Sequence, residues 1–130
     1  MINIETDVFD TVYREVEFLL PEGCFTSEYV PSPPALPHAS LIEMDNYTDR
    51  SLQDTAFQER FAIVMYEANV YAEDKFTCKR IMGAIDSVMQ KLGFTRMSMR
   101  PVDNVANISI HRIVARYRAT VDDRKYIFRK

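Results

Sequence analysis

Hydrophobic positions along the chain alternate between helix-period and strand-period runs. In residues 6–20, Val8, Val12, Val16 and Leu19 recur at spacings of four, four and three, with Phe9 and Leu20 beside them, which predicts a helix. Thr6 suits its N-cap, and Pro21 disfavours helical geometry at Leu20, so the helix should stop there with Gly23 allowing a turn. CFTSEYV, 24–30, reads as a strand. VPSPPALP, 30–37, has four prolines in eight positions and reads as a stiff extended loop. SLIEMDNY, 40–47, looks extended, and TDRSLQDTAFQE, 48–59, is a polar, irregular connection. RFAIVMYEANVYA, 60–72, is rich in β-branched and aromatic residues and is the clearest strand.

The second helix runs from about Thr77 to Leu92. Ile81, Ile85, Val88 and Leu92 form one stripe, while Lys79, Arg80, Asp86, Gln90 and Lys91 fall opposite. Gly93 follows as a left-handed C-cap does, with Phe94 placed to fold back on the last turn. A strand at 94–100, a turn around Pro101–Asn107 and a long strand at 108–121 complete the pattern. KYIFRK at the end carries Tyr126, Ile127 and Phe128 among basic residues, either as a last strand or as an interaction tail.

This element order cannot sandwich the strands as crossover units. The expected fold is α+β: a mainly antiparallel sheet of four to five strands with two α-helices packed on it, in a single domain over 1–130. Side chains two apart on a strand share a face. On 40–47 this puts Leu41, Glu43, Asp45 and Tyr47 together, opposite Ile42 and Met44. On 108–121, His111, Ile113, Ala115, Tyr117, Ala119 and Val121 make an apolar face, with Arg112, Arg116 and Arg118 opposite. On 94–100, Arg96, Ser98 and Arg100 oppose Thr95, Met97 and Met99, and Glu67 sits with Asn69 on the less apolar side of 60–72. The sheet thus has a greasy side and a charged side, and cross-strand pairs of opposite charge contribute roughly 0.2–1 kcal/mol each.

Composition narrows the function more than it defines it. A chain of 130 residues suits one domain and buries roughly two thirds of its unfolded surface without a metal or disulfide staple. A formal charge of −3 argues against a dedicated nucleic-acid binder. Cys24 and Cys78 are too few for a disulfide framework. MINIETDVFD has no basic n-region, and no stretch reaches the roughly 18 apolar residues of a membrane span, so the chain reads as soluble and cytoplasmically made.

His38, Glu43 and Asp45 lie close together in LPHASLIEMD, as metal-binding or proton-moving groups do. His38 follows Pro37 and falls outside the expected strand, however, and a zinc site needs three or four ligands within about 2.3 Å of the ion. His111 reads as a hydrogen-bonded, partly buried histidine. A nucleophile built from Cys24 or Cys78 with His111 has no local motif behind it, and three glycines leave no phosphate-cradling loop. Gly83, on the polar face of the second helix, is either tolerated there or admits the close approach of a neighbouring subunit. No catalytic, cofactor or metal residue is expected. Glu43, Asp45, Glu67, Arg112, Arg116, Arg118, Tyr126 and Phe128 are the candidate subunit-interface residues. If the charged face is an interface, Arg112→Glu should weaken self-association.

Three segments, RFAIVMYEANVYAED, IMGAIDSVMQKLGFTRMSM and ISIHRIVARYRATVD, resemble the tail terminator (tail completion, or tail-to-head joining) proteins of long-tailed bacteriophages. The resemblance covers roughly residues 40–121 and lies in a strand ending "YExNVYA", a helix closing on "LGF" and a strand ending "RYRA". It implies a structural virion protein, not an enzyme. Its subunits would form a hexameric ring on the head-proximal end of the tail tube, after assembly in the host cytoplasm. The ring would stop tube polymerisation and dock the head connector, and DNA would pass through its lumen without specific binding. Expected partners are copies of the chain, the tail tube protein and the connector or stopper protein, with no cofactor and no membrane. Mild acidity suits a channel through which DNA slides, since exposed cations bind phosphate. The alternatives are another connector or tube component, a nucleic-acid-binding module using the arginine face, and a small enzyme using His111 or a cysteine.

Overall fold

Two long central strands organise the molecule, and their sequences explain why. β3 (Phe61–Ala72) and β5 (His111–Asp122) are adjacent and antiparallel. Each places alternate residues on one buried face: Val64, Tyr66, Ala68 and Val70 from β3, with Ile113, Ala115, Tyr117 and Ala119 from β5. The interspersed alanines let helices approach closely. β2 (His38–Thr48) pairs with β3, and β4 (Thr95–Asp103) pairs with β5, both antiparallel. The sheet order is β1-β2-β3-β5-β4, so β1 (Phe25–Thr26) and β4 lie at its two edges, and β6 (Ile127–Phe128) extends the β4 side along β5. The computed structural model describes residues 1–31, 33–48, 61–103 and 109–128. The predicted connection at 48–59 and the turn at 101–107 fall largely outside the described residues.

α1 (Glu5–Val16) and α2 (Lys75–Leu92) cover the same face of the sheet and pack on each other. Val8, Val12 and Val16 from α1 meet Cys78, Ile81, Met82, Ile85 and Met89 from α2 in the core. Each aliphatic side chain fully buried there contributes about 1.5–3 kcal/mol. β3, α2 and β4 form a split β-α-β unit, with β5 inserted between the two parallel strands. The α+β class stands as expected, and among the described residues the sheet comprises four long strands and two of only two residues each. The predicted strand at 24–30 shrinks to Phe25–Thr26, and it joins β2 in parallel.

Helix ends differ from the sequence expectation at their starts. α1 has Ile4, not Thr6, at its N-cap, and the Glu5 N–H donates instead to Asn3 Oδ1 at 3.1 Å. Residues 17–19 continue α1 as a 3-10 turn up to Leu20, where Pro21 ends it. α2 begins two residues before Thr77 because Asp74 caps it: Asp74 Oδ1 accepts from the Thr77 N–H at 2.7 Å and Oδ2 from its hydroxyl at 2.9 Å. Those hydrogen bonds hold the Asp74 carboxyl below its ordinary pKa. At the other end Gly93 takes φ 107, the left-handed cap that its position predicts.

The main departure lies in strand parity. β2 carries a bulge at Met44 and β4 another at Met97. One extra residue reverses which face the following side chains take. Glu43 is therefore opposite Tyr66 on the helix face, while Asp45 is opposite Met65 on the other face, so the two acids do not share a side. Likewise Arg96 is opposite Tyr117 on the helix face, apart from Ser98 and Arg100. Glu43, Tyr66, Tyr117 and Arg96 thus form one row across the sheet, beneath the helices.

Candidate functional site

The sheet face away from the helices carries a polar network built on period-two positions of β2, β3 and β5. Glu67, Asn69 and Tyr71 point there from β3, Arg112 and Arg116 from β5, and His38 and Ser40 from β2. Glu67 Oε2 accepts from Arg116 Nε at 3.1 Å, and Oε1 accepts from Asn69 Nδ2 at 3.1 Å. Asn69 Oδ1 in turn accepts from Arg112 Nη2 at 2.7 Å and Nε at 3.2 Å. The Arg112 guanidinium lies over the rings of Tyr29 and Tyr71, 5.4 and 5.5 Å from their centroids, each contact contributing about 0.5–2 kcal/mol. Asn69 is fully buried, whereas the Arg116 side chain is half exposed. Burial raises the Tyr71 phenol to about 12, against the opposing pull of Arg112.

Beside this network, His38 and Ser40 are buried with side-chain atoms that find no hydrogen-bond partner among the described residues: His38 Nδ1 and Ser40 Oγ. Burial lowers the His38 pKa. His38 is the first residue of β2, across from Tyr71, and not the end of the proline loop. Pro37 concealed this in the sequence, although His38 shares the period of Ser40. It faces away from Glu43, so the bulge and the strand together dissolve the apparent His–Glu–Asp cluster.

The predicted interface residues separate into groups. Glu67, Arg112 and Arg116 do come together, as a network whose partners lie within the chain. Asp45 and Arg118 share that face with Met65 between them, so two strand spacings of about 4.8 Å separate their backbones. The Asp45 carboxylate accepts from the Asn46 N–H instead, at 2.9 Å. Glu43 belongs to the helix face, where Oε2 accepts from the Tyr66 hydroxyl at 3.0 Å. Burial, and then the Glu43 charge, raise the Tyr66 phenol. Tyr117 behaves likewise, donating to Asp86 Oδ1 at 2.8 Å, while Arg96 binds Asp86 Oδ2 at 3.3 Å. Ile127–Phe128 complete the sheet beside β5, and the exposed rings of Tyr126 and Phe128 flank that pairing. Asn69, Tyr29 and Tyr71 join the site although no charge pattern marks them; the signal for Asn69 was its parity with Glu67.

The cysteines are buried thiols. Cys78 Sγ donates to the backbone carbonyls of Val70 at 3.3 Å and His111 at 3.7 Å, and burial pushes the thiol up to about 11. A thiol at that value is protonated at neutral pH and is a poor nucleophile. Cys24 Sγ approaches the Ala35 carbonyl at 4.0 Å. His111 is exposed at the start of β5, contrary to its expected partial burial, because it sits where the apolar face runs out. It lines a groove between α2 and β4 with Lys75, Lys79, Pro101 and Ile113, a hollow of about 300 Å³. A second hollow of about 380 Å³ continues it past Met82, Gly83 and Met99 to Asp86. A Cβ added at Gly83 would meet nothing within 4 Å. Among the described residues no group of three His, Cys, Asp or Glu side chains is placed to hold a metal ion. No family model matches the chain, and no curated protein matches its sequence.

Proposed function

We propose that the chain is a structural subunit of a long-tailed phage virion, a tail terminator that caps the head-proximal end of the tail tube as a hexameric ring. In this reading the ring ends tube polymerisation, and its outer surface receives the head connector. The observation that carries it is where the three resembling segments fall. They occupy β3, then α2 with β4, then β5, which together form the split β-α-β unit at the centre of the molecule. The chemistry of the polar face supports a structural role as well. Glu67, Asn69, Arg112 and Arg116 hydrogen-bond one another within the chain, and the Cys78 thiol is protonated at neutral pH.

The test is assembly. Negative-stain microscopy of the purified protein, alone and added to a tail tube protein of the same phage, should give closed six-fold rings and shortened tubes. Long tubes formed by this chain alone would assign it to the tube proteins. Tubes growing to their usual length in its presence would overturn the reading. Tight DNA binding with a steep salt dependence would favour the nucleic-acid module instead.

A further inference from the structure

We propose that two opposite edges of this molecule are complementary and join copies of the chain head to tail: the Phe18 turn of one copy seats in the α2–β4 groove of the next. The two surfaces differ in shape and charge. Phe18 lies in the 3-10 turn after α1 and is 76% exposed. Glu15, Glu17 and Glu22 surround it in sequence, all exposed. Along residues 5–22, carboxylates outnumber the single cation, Arg14. The groove has the inverse character. Its floor is Met82, Gly83, Met99, Pro101 and Ile113, and Lys75 and Lys79 of α2 stand on its rim with no ion pair among the described residues. Its acid, Asp86, is already engaged by Arg96 and Tyr117.

Size and position agree with this pairing. An apolar cavity of about 150 Å³ holds a benzene ring, so either hollow, at about 300 and 380 Å³, admits the Phe18 ring. α1 lies over the β1 edge of the sheet, where Phe9 and Tyr13 pack on Phe25 at 4.8 and 5.8 Å between ring centroids. The groove lies over the β4 edge, at the other end of the strand order. A knob on one edge and its hole on the opposite edge make a heterologous contact, which propagates from copy to copy until it closes into a ring or runs on as a filament. The contact depends on charge and shape alone, and not on the terminator reading.

Sedimentation of wild type, Phe18→Ser and Gly83→Leu tests it. Phe18→Ser removes an exposed ring, and Gly83→Leu fills the groove while improving helix propensity, so circular dichroism should show both variants folded. Wild type should self-associate, less at high salt. Each variant alone should lose affinity by at least about tenfold. Mixed together they should give a 1:1 dimer and nothing larger, because the Phe18→Ser copy retains a groove and the Gly83→Leu copy retains a knob. The proposal fails if wild type is monomeric at all soluble concentrations, if either variant associates like wild type, or if the mixture stays monomeric. Rings unaffected by both variants would sink this contact and leave the terminator reading intact. Open filaments lost in both variants would support the contact and sink the terminator reading.

Discussion

Asn69 links Glu67 on its own strand to Arg112 on β5: its amide nitrogen donates to Glu67, which holds Arg116, and its carbonyl oxygen accepts from Arg112. Asn69→Leu keeps the volume but leaves Arg112 without an acceptor and Glu67 short of a donor. We expect a loss of about 1–3 kcal/mol, read as a lower urea midpoint at unchanged slope; an unmoved midpoint would show that the network is not structural. Arg112→Glu therefore does not isolate an interface. It places a carboxylate beneath the Tyr29 and Tyr71 rings and against Asn69 Oδ1, so it should destabilise the monomer before it reports on association. His38 gives a pH dependence. Burial lowers its folded pKa beneath the ordinary 6.5, so the folded state favours the neutral ring. The stability contributed is present above about pH 6.5 and is lost as pH falls from there through the folded pKa, where the unfolded chain binds the proton first. His38→Asn should flatten the fall in thermal midpoint between neutral pH and mild acid. An unchanged pH profile would remove His38 from the account.

At the scale of elements, what periodicity can express was legible, and what interrupts periodicity was not. The stripes of α1 and α2, the β3 run and the Gly93 cap follow from repeating spacings and one left-handed position. Counting by twos has no place for an inserted residue, so the bulges at Met44 and Met97 misplaced Glu43 and Arg96 while leaving both strands correctly located. Asp74 was missed as a cap because the helix was begun at Thr77, the residue whose N–H and hydroxyl donate to Asp74, rather than at the capping residue three positions earlier. β1 was overestimated because Phe25 and Tyr29 look like strand residues, yet Tyr29 serves instead to cover Arg112. Gly93 offers the sharpest test at this scale. Its φ of 107 is strained for any side chain, and a Cβ there would stand 3.1 Å from Ile127 Cγ2. Gly93→Ala should cost more than about 1 kcal/mol in chemical denaturation and should loosen β6 as well. A neutral effect would mean that α2 can end in another way.

For the whole molecule, the central strands and the edges should differ in rigidity. β3 and β5 are paired on both sides and buried, whereas β1 and β6 contribute two residues each. Hydrogen exchange should therefore be slowest in 62–71 and 112–121 and fastest in 25–26 and 127–128; protection spread evenly across the sheet would contradict this. The candidate interface was the part least visible in the sequence. Charge parity correctly grouped Glu67 with Arg112 and Arg116, but a run of letters does not show whether such groups face one another or a neighbour. The two bulges have a consequence for shape. They flank the Glu43–Tyr66–Tyr117–Arg96 row from opposite sides, and a bulge bends its strand and tightens the local twist. The sheet should therefore bend most sharply along that row, between the stretch bearing His38, Tyr71 and Arg112 and the stretch bearing Tyr47, Phe61 and Phe128.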